Sequence, residues 1–353
     1  MPISPYVAVA LQARCDAVNA DPDRASAEAR IDKSLDRIAQ QTAAARGWTA
    51  TFHDAPMRLV VLPEYVLTSF PLQEDFVTWR NKAVLEPGSF AHKRLGEIAS
   101  ANDSFIAINM YEANELAPEL YFQSMLVFAP SGEVVLRYLR MVSINSPSPY
   151  DFWDRYLDLV GLDGVFPVAD TAIGRIGAVA SEEILFPEIA RAVCLNGAEL
   201  LVHSTSEVSS PGLSAKDIAK RARAIENGVY VVSANSASIT GTAIPPQSTD
   251  GMSKIVGPDG LVLAHTAGGE SMNASTVIDI EGLRKKRGRA AMTNLLPRLP
   301  AKAFVPYYEN ARTLQPNGLG NGDERQRAWL RERLRPLAMG LANGGQASTD
   351  QDI

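Results

Sequence analysis

The sequence predicts an α/β fold built mainly as one large domain. Short apolar runs typical of buried strands alternate along the chain with longer segments whose apolar residues recur at helical spacing. No linker-like stretch interrupts this alternation, so we expect a single domain over 1–290. From about residue 315 the composition shifts to Gly, Asn and Pro, and 291–353 is expected to be a C-terminal extension.

Strands are predicted where short runs rich in Val, Ile, Leu and aromatic residues are bounded by turn residues. The turn residues Pro258 and Gly260 are expected to close a hairpin. The predicted strands cover 6–11, 58–62, 105–110, 124–128, 133–138, 165–168, 176–180, 199–203, 229–234, 252–256, 261–264 and 277–280.

Helices are predicted where apolar residues recur every three to four positions. The aromatic segment 146–156 lacks this spacing and is expected to be an irregular loop that covers a site. The final residues are expected to be disordered. The predicted helices cover 27–45, 91–101, 187–195, 215–227, 281–287 and, in the extension, 323–339.

Composition and charge exclude several classes of function. The net charge of −6 gives no indication of nucleic-acid binding, and no apolar run is long enough for a membrane span. Two cysteines cannot form a disulfide framework, and four scattered histidines lack metal-ligand spacing, so no metal or other cofactor is expected. The N-terminus lacks the features of a signal peptide, and a cytoplasmic location is expected.

A polar turn interrupts the chain directly after the predicted buried strand 176–180. Ser181, Glu182 and Glu183 lie between this strand and the helix that Pro187 begins. Hydroxyl and carboxylate groups at the carboxyl end of a buried strand occupy the place where α/β proteins build their sites. The alternative is an ordinary solvated turn.

Five fragments, in order, resemble the nitrilase superfamily of carbon–nitrogen hydrolases. They are LVVLPE at 59–64, GEVVLRYLR at 132–140, DTAIGRIGAVASEEILFPEIAR at 170–191, GAELLVHSTS at 197–206 and RARAIENGVYVVSAN at 221–235. Within the superfamily, the residues of these fragments are most similar to those of the nitrilase and aliphatic-amidase branches. It implies a four-layer αββα sandwich and a homodimer or larger homo-oligomer, in which C-terminal segments often cross to the neighbouring subunit.

The resemblance also implies catalytic roles. Glu64 matches the general base of the family. Arg140 stands where the family has its lysine, and it would support an oxyanion. Ser181 stands where the family has its cysteine nucleophile.

Four further residues are candidates for substrate binding. Glu183 matches the acid that follows the family's nucleophile by two positions, and Glu182 lies beside it. Asp154 is the acid nearest to the family's second glutamate, with Asp151 next. Trp153 is expected to line the pocket entrance, or else to cover an edge of the core.

Three interpretations remain open at this stage. In the favoured one, the protein hydrolyses a C–N bond of a small amide or nitrile, with Ser181 as nucleophile. A serine hydroxyl is harder to deprotonate than a thiol and normally needs a histidine-type base, for which His203 is the one positional candidate. In the second, the protein is catalytically silent and binds a small amide, acid or amine. In the third, the nucleophile is elsewhere, with Cys15 as the alternative.

Overall fold

The computed structural model describes residues 2–143, 145–208, 214–249, 251–311, 313–319 and 332–342. Within these ranges, strands and helices follow one another in the alternating order that the sequence predicts. The strands are β1 Tyr6–Ala10, β2 Cys15–Asp16, β3 Met57–Val61, β4 Phe105–Glu112, β5 Phe122–Phe128, β6 Val134–Leu139, β7 Val168–Thr171, β8 Gly174–Ala180, β9 Leu200–Thr205, β10 Tyr230–Asn235, β11 Ile239–Thr240, β12 Lys254–Val256, β13 Val262–His265 and β14 Ser275–Ile278.

The helices lie between and after these strands. Three of them, α5, α6 and α7, begin within one residue of the predicted start and end at the predicted residue. The helices are α1 Arg24–Phe52, α2 Phe76–Ala83, α3 Phe90–Asn102, α4 Trp153–Val160, α5 Pro187–Leu195, α6 Ala215–Asn227, α7 Ile280–Arg287, α8 Val305–Glu309 and α9 Arg335–Ala342.

Most of the strands form two six-stranded sheets. The first has the order β14-β1-β3-β4-β5-β6 and the second has the order β13-β12-β10-β9-β8-β7. In each sheet the central strands are parallel: β1, β3 and β4 in the first, and β8, β9 and β10 in the second. The carboxyl ends of parallel strands share one edge of a sheet, and both sheets therefore present a set of strand ends from which a site can be built.

The two sheets pack face to face, and helices cover their outer faces. Ala8 and Val61 of the first sheet share a buried cluster with Ala178 and Val202 of the second. On the outer faces, α1 and α3 share a core with the first sheet, and α5 and α6 share one with the second. The four-layer αββα sandwich is confirmed.

The close approach of α5 to β8 depends on Gly177. A Cβ on this glycine would lie 2.1 Å from Cγ1 of Val193, a distance that no real side chain tolerates. Because α5 starts directly after the turn at Ser181, this contact also determines where the turn lies.

The prediction of an irregular loop over 146–156 is wrong in part. Pro149–Phe152 forms a 3-10 turn and α4 follows it at once. Asp151 caps this turn, since its carboxylate accepts hydrogen bonds from the backbone N–H and the hydroxyl of Ser148 at 2.8 and 3.0 Å. The helix α2 also escaped prediction; Asp75 begins it by accepting a 2.7 Å hydrogen bond from the N–H of Thr78.

Part of the segment predicted to be a C-terminal extension contacts the turn before α4. The N–H groups of Asn317 and Leu319 donate to the carbonyls of Tyr150 and Asp151 at 2.9 and 3.1 Å. The predicted helix over 323–339 falls partly on 320–331, outside the described residues, and α9 covers its last part. The expected disordered end, 343–353, lies outside the described residues as well. Within the described ranges, no helix is both long enough and apolar enough to span a membrane.

Candidate functional site

Ser181 lies at the carboxyl end of β8, where the strand turns toward α5. Its φ is +50°, a left-handed conformation that residues with a Cβ rarely adopt. The turn Ser181–Leu185 is a 3-10 helix, and Pro187 then begins α5. Backbone strain of this kind persists only where the surroundings enforce it, and it is concentrated at functional sites.

His203 holds the backbone of Ser181 in place. Its Nε2–H donates a 2.9 Å hydrogen bond to the carbonyl of Ser181, and its Nδ1 accepts one of 2.8 Å from the hydroxyl of Ser233. Burial lowers the pKa of His203 to about 3, so the ring is neutral near pH 7. Both ring nitrogens are occupied away from the Ser181 hydroxyl, and His203 therefore positions this residue without activating it.

Glu64 and Arg140 form a buried ion pair next to this turn. Arg140 Nη1 lies 3.1 Å from Glu64 Oε1. Gln123 Nε2 and the backbone N–H of Ser206 also donate to the carboxylate, at 3.0 and 3.1 Å. These donors hold Glu64 against the arginine, and among the described residues no hydrogen bond joins its carboxylate to the hydroxyl of Ser181.

Arg140 uses most of its donors within the site. Nε donates to the carbonyl of Val142 at 2.7 Å, and the two terminal nitrogens bond Gln123 and Glu182 as well as Glu64. Burial lowers the pKa of Arg140. The carboxylates of Glu64 and Glu182 raise it by more than burial lowers it, so the pKa lies above its ordinary value. The guanidinium is thus a permanent positive charge, and among the described residues one of its Nη2 hydrogens has no acceptor.

Glu183 ties the end of β8 to the end of β6. Its Oε1 accepts hydrogen bonds from the Tyr138 hydroxyl and from the N–H groups of Met141 and Val142, at 2.8, 2.6 and 3.1 Å. Its Oε2 accepts one of 2.9 Å from the N–H of Ala180. Burial raises the pKa of Glu183 to about 7 although these donors favour the ionised form. The side chain is fully buried and does not line the cavity described next, so its contacts are those of a positioning residue.

An open cavity lies over the hydroxyl of Ser181. Its volume, as bounded by the described residues, is about 550 Å³, within the range of small-molecule sites. One part of the wall is aromatic and another carries charge. The aromatic part includes Tyr65, Phe70 and Tyr111, and the charged part includes Arg140, Glu182 and Lys216.

Trp153 and Asp154 do not line this cavity. Both begin α4, where Asp154 is exposed and its N–H donates to the side chain of Asn317 at 3.0 Å. The Trp153 ring packs between Tyr150 and Tyr156, with ring centroids 5.6 and 6.4 Å away. The segment folds as a helix, and its side chains pack beside the site instead of covering it.

Lys216 is a site residue that the sequence analysis missed. It lies in the first turn of α6, and its Nζ is 3.4 Å from Ser181 Oγ and 3.2 Å from Thr205 Oγ1. Burial lowers the pKa of Lys216. A signal was present in the sequence: the helix dipole disfavours a cation in the first turn, and residues that break a local rule are often functional.

Glu207 and Lys220 form a second buried ion pair below Lys216. Lys220 Nζ lies 2.7 Å from Glu207 Oε1, and the hydroxyl of Ser214 donates to Oε2 at 2.7 Å. Burial opposes ionisation of Glu207, but the charge of Lys220 outweighs it and lowers the pKa of the carboxyl to about 2. Glu207 borders the cavity, but both of its carboxylate oxygens already have a partner, in Lys220 and Ser214.

Cys15, the alternative nucleophile, does not line the cavity. It is fully buried, its Sγ is 3.5 Å from the carbonyl of Tyr65, and burial raises its pKa to about 12. A thiol so hard to ionise is inert at neutral pH. Within the described ranges, no three His, Cys, Asp or Glu side chains are grouped so that they could hold a metal ion.

Comparison with known proteins identifies related sequences and structures. The carbon–nitrogen hydrolase family model matches residues 17–287. A probable nitrilase of Schizosaccharomyces pombe is 33% identical over 205 residues, which are 58% of this chain and 69% of that protein. The deaminated glutathione amidase of Synechocystis sp. is 25% identical over 180 residues, which are 50% of this chain and 64% of the amidase.

The structural comparison concerns the fold. The crystal structure of a carbon–nitrogen hydrolase from Helicobacter pylori G27 aligns with a TM-score of 0.64 at 20% identity. The alignment covers 87% of this chain and 99% of that one.

Proposed function

Because the chain belongs to the carbon–nitrogen hydrolase family, we propose that it hydrolyses the C–N bond of a small amide in the cavity over Ser181. The observation that carries this proposal is the position of Ser181: a strained residue at the carboxyl end of a central strand, with its hydroxyl on the cavity. A nucleophile held on such a turn is exposed to a carbonyl carbon that approaches from the cavity.

Arg140 supplies the charge that the reaction needs. Attack by Ser181 Oγ on an amide carbonyl places negative charge on the carbonyl oxygen, and a fixed cation in a partly desolvated site stabilises it. The Nη2 hydrogen of Arg140 that has no acceptor among the described residues would donate to that oxygen. Glu64 holds the guanidinium in place through their 3.1 Å contact. Its predicted role as the base stays a prediction.

Ammonia release from a panel of small aliphatic and aromatic amides and nitriles tests the proposal. We expect turnover by the native protein and a loss of about 10³-fold or more in Ser181→Ala. Ser100→Ala, which alters an exposed serine of α3 away from the cavity, is the control and should keep its activity. Equal turnover in the native protein and Ser181→Ala would remove Ser181 from the mechanism.

A second candidate function is ligand binding without turnover. Glu64 and Arg140 neutralise each other, and Ser181 replaces a thiol with a much weaker acid. If only Ser181→Cys releases ammonia, the native protein is a binding protein in a working hydrolase frame. A thermal-shift screen of amides, acids and amines would then find a ligand for the native protein, with an affinity that Glu64→Gln changes.

The assembly and location stay predictions. The resemblance to the nitrilase superfamily implies a homodimer or larger homo-oligomer, and the composition favours the cytoplasm. Light scattering coupled to size-exclusion chromatography measures the first, and fractionation of the source cells measures the second.

A further inference from the structure

We propose that Lys216 is the general base that takes the proton of the Ser181 hydroxyl, so that the nucleophile of this site works as a serine–lysine pair. The inference rests on the proposed amide hydrolysis and names the group that makes a serine reactive there. Neither residue alone suggests it. The argument depends on where α6 brings its first turn.

The geometry places a single basic side chain at the hydroxyl. Lys216 Nζ lies 3.4 Å from Ser181 Oγ, and within the described ranges no other side chain hydrogen-bonds to that oxygen. The distance is longer than that of a strong hydrogen bond, as catalytic contacts often are before the substrate binds. Thr205 Oγ1, 3.2 Å from Nζ, provides a second contact that directs the amine toward the strand ends.

Lys216 differs from three buried lysines, each of which forms an ion pair with a carboxylate. Lys82, Lys220 and Lys254 each form an ion pair, with Glu74, Glu207 and Asp217 respectively. No ion pair joins Lys216 to a carboxylate in the part of the chain that the structure describes, because the two nearby acids are already taken. Glu207 is bonded to Lys220, and Glu64 to Arg140.

Burial, and not the nearby charges, lowers the free-energy cost of the neutral amine of Lys216. Burial is the largest influence on its pKa and lowers it. Arg140 and Lys220 add to this effect by repulsion, while Glu64 and Glu207 oppose it, and the net shift is downward. The N-terminal end of α6 also disfavours a cation. A lysine in such surroundings is the kind that enzymes use as a base.

The other basic groups near Ser181 are engaged elsewhere. His203 donates Nε2–H to the Ser181 carbonyl and accepts at Nδ1 from Ser233. Glu64 is bonded to Arg140, Gln123 and Ser206. Neither has a hydrogen bond to Ser181 Oγ, so proton transfer to either would require the site to rearrange.

Lys216 alone accepts and returns the proton in each step of the reaction. Its neutral Nζ accepts the hydroxyl proton of Ser181 as Oγ bonds to the carbonyl carbon and the carbonyl electron pair moves to oxygen. When the C–N bond breaks, its electron pair leaves with the nitrogen, which takes the proton from the Lys216 ammonium and departs as ammonia or an amine. Water then attacks the resulting ester, giving a proton to Nζ that returns to Oγ as the acid is released.

The first test is substitution of Lys216 with measurement of the pH profile of kcat/KM. Activity of the native protein should rise with pH as Lys216 loses its proton. Lys216→Met and Lys216→Arg should each lose about 10²- to 10⁴-fold and lose this rise, because arginine keeps the charge but is not a base. Lys285→Met, which alters an exposed lysine, is the control and should behave as the native protein.

The result of Lys216→Arg separates a base from a mere charge. If this variant keeps activity within about tenfold while Ser181→Ala is inactive, the proposed hydrolysis stands and the serine–lysine pair is overturned. If both variants are inactive and both remain folded by circular dichroism, the pair is supported.

A second test replaces the amine chemically. In Lys216→Cys, alkylation with 2-bromoethylamine creates a lysine analogue whose amine is more acidic. Cys15 and Cys194 are both buried and are expected to be protected in the folded protein. We expect activity to return with its alkaline rise moved to lower pH. Return of activity with an unmoved profile would overturn the role of Lys216 as the base.

A readout independent of turnover covers the case in which no amide is hydrolysed. An alkyl fluorophosphonate reacts with an activated serine, forming a P–O bond to Oγ with loss of fluoride, and intact mass with peptide mapping locates it. Labelling of Ser181 that is lost in Lys216→Met would retain the pair while the amidase proposal fails. Absence of both turnover and labelling would overturn both.

Discussion

The Nε2–H of His203 donates a 2.9 Å hydrogen bond to the backbone carbonyl of Ser181, the residue with φ of +50°. Ser181 directly follows β8, and His203 lies within the neighbouring parallel strand β9, opposite Val179. The imidazole is fully buried, and the hydrogen bond that it makes to the candidate nucleophile is to the backbone carbonyl. This contact stabilises the turn that aims the Ser181 hydroxyl at the cavity.

The first prediction concerns this contact. His203→Leu leaves the buried carbonyl of Ser181 without a donor and should lower the free energy of unfolding by about 1–3 kcal/mol. Turnover should fall as well, because the turn is less well held. Urea unfolding measures the stability, and His265→Leu, at an exposed histidine, serves as the control. An unchanged midpoint in His203→Leu would mean that another group holds the turn.

The second prediction concerns the pH dependence of stability, to which two buried groups contribute in opposite directions. The pKa of His203 is lowered to about 3, so its contribution to stability is present above pH 6.5 and is lost as the pH falls. The pKa of Glu183 is raised to about 7, so its contribution is present below pH 4.5 and is lost as the pH rises. Between about pH 4.5 and 6.5 the two slopes have opposite signs and partly cancel.

Single substitutions should expose each slope. In His203→Gln, the free energy of unfolding should fall more steeply as the pH rises from 4.5 to 7 than it does in the native protein. In Glu183→Gln it should fall more steeply as the pH is lowered from 6.5. Urea titrations at half-unit pH intervals measure both. Parallel pH profiles for the native protein and both variants would contradict the assignment.

The third prediction concerns the strain at Ser181. Glycine adopts a positive φ without a steric cost, whereas the Cβ of alanine makes this conformation unfavourable. Ser181→Gly should therefore be more stable than Ser181→Ala by about 1 kcal/mol. At the exposed helical position Ser100 the order should reverse, because glycine is the poorer helix former. The same order at both positions would argue against strain at Ser181.

The fourth prediction concerns the ion pair of Arg140 and Glu64. Arg140→Met leaves the buried carboxylate of Glu64 uncompensated and should cost about 3–5 kcal/mol. Adding Glu64→Gln removes that charge, so the double variant should be more stable than Arg140→Met alone. A double-mutant cycle by urea unfolding measures the coupling.

The control for this cycle is a group of surface ion pairs. Arg94→Met, which removes the contacts of Arg94 with Asp32, Asp36 and Glu97, should cost no more than about 1 kcal/mol. If Glu64→Gln lowers the stability of Arg140→Met further, the buried pair is not coupled as described.

Local pattern predicted the central strands and the position of Ser181, but it missed β2 and β11 and placed an edge strand at 165–168, where the structure has Val168–Thr171. The apolar run 176–180 is short and is followed at once by polar residues, and β8 ends at Ala180 as expected. Glu64 and Arg140 follow β3 and β6 in the same way, and both line the cavity. These predictions succeed because a strand end is set by residues adjacent in the chain.

The local pattern of 146–156 predicts a loop, whereas the structure has the helix α4 from Trp153 onward. Trp153 and Tyr156 pack on each other along one face of that helix, with ring centroids 6.4 Å apart, and the chain folds back onto it through Asn317. The cap at Asp151 and this distant segment support the helix, and neither effect belongs to the periodicity of the segment itself.

The composition of the site was decided only by tertiary structure. Lys216 is 35 residues from Ser181, and Arg140 is 76 from Glu64. Whether such side chains meet depends on the order of strands in each sheet, on the register between them and on the packing of the two sheets. The chain itself dictates which residues end each strand, and the assembled sandwich determines that a lysine meets the serine while the glutamate is bound to the arginine.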